Sequence, residues 1–122
     1  MVRYFWDSYA IIEFIDGNPK FAKYSREQLI LTIFNLTEVY WFAVNEYGEE
    51  KANQIYDEVK QGAVKISDEI IKEAIKFRKK NRKKRLSYAD CIGYIYSLRN
   101  NLKFLTGDKE FDNFDNVEFV KK

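Results

Sequence analysis

Histidine is absent from all 122 residues, and cysteine occurs once, as Cys91. Without imidazole there is no Ser-His-Asp triad, no Cys-His pair and no chemistry that uses imidazole as both acid and base. The usual zinc sites of Cys and His ligands are out of reach, and a lone thiol forms no internal disulfide. Nothing beside Cys91 would activate it except a helix start, so a small buried structural role is expected. Proline also occurs once, as Pro19. No Pro-, Gly- or Ser-rich linker divides the chain, and one domain over residues 1–122 is expected. The first apolar stretch, MVRYFWDSYAIIEF, already carries Arg3 and Asp7, and no uninterrupted apolar run approaches bilayer length. Neither a signal peptide nor a membrane span is expected, and a cytoplasmic location is. What remains for chemistry is carboxylates, hydroxyls and lysines.

Strand-like and helix-like segments alternate. Val2 to Trp6 is short, apolar and aromatic, which predicts a buried strand ending at Asp7. Ser8 opens a helix with Ala10, Ile11, Phe14 and Ile15 on one face, and Asp16-Gly17-Asn18-Pro19 stops it. A second strand is expected over Leu29–Ile33, a helix from about Asn35 to Glu46, and an amphipathic helix over Glu49–Val59. A short third strand is expected at Ala63–Ile66, followed by Ser67 as N-cap with Asp68 and Glu69 in the first turn. Ser87-Tyr88-Ala89-Asp90 begins a late helix that ends at Asn100-Asn101. A strand at Lys103–Leu105, a turn at Thr106-Gly107-Asp108 and a last strand near Val117–Val120 complete the chain. Such alternation implies an α/β fold with a mainly parallel sheet covered by helices on both faces.

In such sheets the ligand crevice lies outside the carboxyl ends of the strands. Asp7, Glu38, Asp90 and Asp108 all fall at those ends or in the first turns of the following helices. Singly, each is explained as a cap, a turn residue or a solvated helix acid. Together they would repel one another unless a cation joined them. Mg²⁺ or Mn²⁺ suits an open site of hard oxygen ligands, and phosphodiester hydrolysis is the reaction such a site fits. Ser8 and Thr106, each close to an acid in sequence, are candidates to hold a water or a phosphate oxygen.

Asp7-Ser8, Thr37-Glu38, Ser87-x-x-Asp90 and Leu105-Thr106-Gly107-Asp108-Lys109-Glu110-Phe111 resemble the PIN domain, and within it the small VapC-type toxins. The resemblance covers nearly the whole chain, and its most specific piece is Thr-Gly-Asp-Lys-Glu-Phe. It implies a PIN-like three-layer α/β/α sandwich, divalent-metal-dependent ribonuclease activity, dimerisation and inhibition by a cognate antitoxin. Carried over by position, it makes Asp7, Glu38, Asp90 and Asp108 the metal-binding and catalytic acids; Asp112, close after Asp108, is a candidate auxiliary, with a surface role the better expectation. Tyr9 departs from the family pattern, where a small residue is more usual, and so does the short spacer after the third strand.

The modest net charge of +2 hides a cationic segment from Lys72 to Arg85. Lys79, Lys80, Arg82, Lys83, Lys84 and Arg85 are candidates to attract an RNA backbone, although a helix end favours cations in any case. Aromatics make up 17% of the chain, too many for all to be spare surface, and most are expected in the core. The resemblance implies that N-terminal helices form the antitoxin groove and dimer surface, with Ile12, Phe14, Phe21, Tyr24 and Tyr40 as contacts. The alternative function is a PIN-like RNA-binding or assembly module that does not cleave. A receiver-type phosphate-handling domain ranks last, because its paired acids lie elsewhere.

Overall fold

Aromatic side chains that alternate between two faces make the first strand. The computed structural model describes Met1–Lys121. In it β1 (Tyr4–Trp6) sends Phe5 into one core and Trp6 into the other, and β2 (Lys103–Thr106) does the same with Phe104 and Leu105. β3 (Val117–Phe119) completes a parallel sheet of order β1-β2-β3, in register Phe5↔Phe104 and Phe104↔Val117. One face is covered by α4 (Asp68–Lys80) and α5 (Tyr88–Arg99). The other carries α1 (Ser8–Ile15), a 3-10 segment (Pro19–Tyr24), α2 (Ile33–Tyr47) and α3 (Glu49–Lys60). The architecture is the expected three-layer α/β/α sandwich.

Two expected strands are not strands. Leu29–Ile33 and Ala63–Ile66 meet only in one parallel bridge, Leu31↔Ala63. Leu31 N–H donates to Gly62 O at 3.1 Å and Val64 N–H to Leu31 O at 2.8 Å, while Trp6 N–H reaches Ile30 O at 2.9 Å. The two segments thus lie beside β1 as a frayed extension of the sheet. The cause is local: Thr32 turns away to cap α2, which starts at Ile33 rather than near Asn35. Thr32 and Asn35 form a capping box, each side chain holding the other's backbone N–H.

Close packing of α5 on the sheet depends on Gly93, where an added Cβ would lie 2.5 Å from the Phe5 ring. Beneath it Phe104 and Phe111 rings meet at 4.7 Å between centroids, so truncating Phe104 is expected to cost about 3–5 kcal/mol. Cys91 is fully buried in this core, as expected, and burial together with the Asp90 charge pushes its thiol up to about 12. Among the described residues no helix is long and apolar enough to cross a membrane.

Candidate active site

Because β1 and β2 are parallel, their carboxyl ends lie side by side, and the residues that leave them meet. Asp7 leaves β1 and is 1% exposed. It caps α1 by accepting the Ala10 N–H on Oδ1 at 2.8 Å, and its Oδ2 accepts the Thr106 hydroxyl at 2.5 Å. Thr106, at the end of β2, also accepts the Asp108 N–H at 3.0 Å. One hydroxyl therefore ties Asp7 to the loop bearing Asp108, across 99 positions of sequence. Asp108 in turn caps the 3-10 turn Lys109–Phe111 through the Glu110 N–H at 3.0 Å.

Asp90 enters from the first turn of α5. It sits in a capping box, with Ser87 N–H donating to Asp90 Oδ2 at 2.9 Å and Asp90 N–H to Ser87 Oγ at 3.0 Å. Glu38 enters from α2, one turn beyond Asn35. Its Oε1 accepts the Ser8 hydroxyl at 2.5 Å, while Ser8 Oγ accepts from Asn35 Nδ2 at 3.0 Å. Asn35, buried beside the Thr32 cap, thus joins α2 to α1 under the site. This hub was not foreseen from the sequence. The pattern Thr32-x-x-Asn35 is its one legible signal.

Two of the acids feel their neighbours. Burial pushes Asp7 up to about 8 against the lowering hydrogen bonds from Thr106 and Ala10, and the charges of Asp90 and Asp108 push it further. Burial likewise raises Asp90 to about 6, opposed by its two bonds with Ser87 and reinforced by Asp108 and Glu38. Tyr9 borders the same site. Burial raises its phenol first, then Glu13, Asp7 and Asp108. Its ring lies against Gly107, where a Cβ would come within 2.2 Å of Tyr9 Cε1 and 2.8 Å of Val120 O. The bulky Tyr9 therefore fits because position 107 has no side chain.

The sequence profile of the PIN domain matches residues 4–117. The chain is a PIN domain. Its fold is similar to that of a toxin-antitoxin complex from Klebsiella pneumoniae (TM-score 0.76, 16% identity, covering 98% of each chain). It is also similar to Mycobacterium tuberculosis VapC20, a sarcin-ricin loop cleaving toxin (0.80, 12%, 96% of this chain and 98% of that one). A third likeness is to FitAcB from Neisseria gonorrhoeae (0.66, 16%, 95% and 96%). A comparison with curated proteins found no match.

In this PIN domain the donor set suits a hard divalent cation in charge and chemistry. All candidate ligands are oxygens, and two of the carboxyls are raised partly by their acidic neighbours, which marks a deficit of positive charge. Among the described residues no three His, Cys, Asp or Glu side chains already stand at metal-ligand spacing. Mg²⁺ keeps several waters and needs only one or two protein carboxylates, so an open arrangement is compatible with it.

Other expected residues divide. Asp112 is exposed at the end of the 3-10 turn, with no part in the hydrogen bonds or charge effects that join the four acids. Of the cationic segment, Arg85 shares a shallow cleft with Asp108, Lys109 and Glu110, and Lys84 Nζ reaches Glu110 O at 3.4 Å. Lys79, Lys80, Arg82 and Lys83 face solvent at the end of α4 and in the turn after it. Phe21 and Tyr24, expected as contact residues, are buried in the core beneath α1, Tyr24 with an edge on an apolar cleft. Phe14, also expected as a contact residue, is exposed, and among the described residues so are the aromatics Phe34, Trp41 and Tyr88.

Proposed function

We propose that this PIN domain is a divalent-metal-dependent endoribonuclease of the VapC toxin type, using Mg²⁺ or Mn²⁺ and restrained by a cognate antitoxin. The observation that carries the proposal is the tie of Asp7 to the Asp108 loop through Thr106 at the carboxyl ends of β1 and β2, with Asp90 of α5 and Glu38 of α2 bordering that point. Two similar folds, a toxin-antitoxin complex and a toxin that cleaves the sarcin-ricin loop, support it.

When bound, the cation supplies charge neutralisation at the scissile phosphate and a more acidic water. Asp7, Asp90 and Asp108 would hold it, with Glu38 completing the acidic wall. Thr106 and the Ala10 N–H fix the Asp7 carboxylate so that it does not reorganise during the reaction. Burial, with the Asp108 and Glu38 charges, raises Asp90 in the metal-free protein, a deficit of positive charge that a bound cation would relieve. Ser8 orients Glu38, and Arg85 beside Asp108 is placed to receive a strand's phosphate.

An apolar cleft of about 390 Å³, lined by Trp6, Ile11, Phe14, Tyr24, Ile55 and Val59 among others, is the surface we assign to the antitoxin. Exposed Ile33, Phe34 and Trp41 on α2 support a homodimer.

The test is cleavage of RNA by the purified chain with Mg²⁺ or Mn²⁺, abolished by chelator. Asp7→Asn and Asp90→Asn should each lower turnover by about 100-fold or more. Undiminished cleavage in both variants refutes the site. A non-cleaving RNA-binding module is the alternative, favoured by the lack of three acids at ligand spacing among the described residues. Salt-sensitive RNA binding without turnover in any divalent metal would establish it.

A further inference from the structure

Tyr88 is a large aromatic side chain left 60% exposed at the first position of α5, directly after the N-cap Ser87 and two residues before Asp90. It is not loose. The Arg78 guanidinium lies over its ring, 4.4 Å from the centroid, and Arg78 Nε donates to Leu86 O at 2.9 Å. The cation is thereby fixed between α4 and the segment leading into α5, and it fixes the ring in turn. An exposed ring that is already ordered loses little freedom when something stacks on it.

The surroundings decide what that is. Lys79, Lys80, Arg82 and Arg85 are exposed on the same segment, and Arg85 shares its cleft with Asp108. Cations that track a phosphate backbone, combined with aromatic faces for bases, are the recurring design for single-stranded nucleic acid. The other exposed rings lack this setting: Phe14 lies on α1 and Phe34 and Trp41 on α2, and neither helix contains a lysine or arginine.

We infer that the Arg78-backed Tyr88 ring is a stacking platform for an unpaired nucleobase of the strand whose phosphate enters the acid site. The inference rests on the RNA-cleaving function proposed above and specifies its substrate. A base inside a duplex already has both faces stacked, so the nucleotide next to the cut must be single-stranded or splayed from a loop. Tyr88 is a positioning residue that sets substrate choice.

The experiment uses the full chain in chelator, so that no RNA is cut, and a single-stranded RNA carrying one fluorescent adenine analogue. Binding should quench the analogue with the wild type and with Tyr88→Phe or Tyr88→Trp. Tyr88→Ala, and Tyr88→Leu, which keeps apolar bulk without a π face, should lose the quench and bind about 5- to 100-fold more weakly. The slope of affinity against salt should stay unchanged in both, because the ring carries no charge, whereas a purely structural defect spreads to the phosphate contacts. In a duplex, where stacking already quenches the analogue, binding should add no further quench.

Equal quenching by Tyr88→Ala and Tyr88→Leu overturns the inference, as does an equal added quench in a duplex. A change in sedimentation of Tyr88→Ala alone, without RNA, would assign the ring to a protein interface and overturn it too. Cleavage by the wild type with unaltered quenching in the variants defeats the platform and leaves the nuclease standing. Absence of any RNA binding by the wild type defeats both.

Discussion

Asp7 should make the metal-free protein less stable as pH rises, and Asp7→Asn should remove its share of that dependence. Its carboxyl is raised by burial to about 8 from an ordinary value of 3.8. Between those values the folded state holds a proton that the unfolded chain has released, so stability is greatest at acid pH and falls as pH rises toward the folded value. Asp90, raised to about 6, adds a similar loss at lower pH. With no histidine in the chain, the window above Asp90 is left largely to Asp7. Integration of the linkage relation from about pH 6 to about pH 8 gives a loss of about 2 kcal/mol, or roughly 5–10 °C in Tm for a chain of this size. Urea denaturation in chelator at several pH values measures it for the wild type and Asp7→Asn. The amide keeps an acceptor for the Ala10 N–H and has no proton to lose, so its profile should be flatter by the same amount. Parallel profiles would show that Asp7 does not titrate in this range. Mg²⁺, by favouring the ionised carboxylates, should return stability most strongly at the alkaline end.

Thr106→Val removes the hydroxyl that holds the Asp7 carboxylate down and accepts the Asp108 N–H. It should destabilise the protein by about 1–3 kcal/mol, with the larger effect at alkaline pH, as read by the same denaturation series. Gly107→Ala drives a methyl into the Tyr9 ring and toward Val120 O, and should cost about 1–3 kcal/mol in urea unfolding. Tyr9→Ala should recover part of that loss, because the ring yields and the carbonyl does not. Arg85→Ala should weaken RNA binding across sequences and reduce the salt slope by about 1 in a filter-binding titration. A slope equal to that of the wild type would remove Arg85 from the phosphate path.

Several parts of the site are legible in the amino-acid sequence because they combine a backbone rule with a charge. Ser87-x-x-Asp90 reads as a helix start and sits where read, whereas Thr106, read as the first residue of a turn, is the last residue of β2, with Gly107 and Asp108 leaving the strand after it. Asp7 is legible as the polar end of an aromatic strand. The edge of the sheet is not. Leu29–Ile33 has the apolar content of a buried strand, yet whether it pairs depends on neighbours far along the chain and on Thr32 being taken by the cap of α2. The aromatics fail for another reason. Phe21 and Tyr24 have the same composition as a contact surface, and only the packing of the 3-10 segment against α1 and β1 puts them inside. Tyr88 looks like one more core ring until Arg78 is found over an exposed face.

The hydrogen bond from Thr106 to Asp7 joins residues 99 positions apart, and β1 pairs with β2 over a similar span. During synthesis the amino-terminal helices can form as soon as they emerge, because their contacts are local, but β1 has no β2 to lie against and Asp7 no hydroxyl to anchor it until the carboxyl-terminal segment appears. The acids therefore come together last. A nascent chain carries Asp7, Glu38 and Asp90 as scattered, solvated carboxylates, and the geometry of the acid site arises only after β2 and Asp108 have been made.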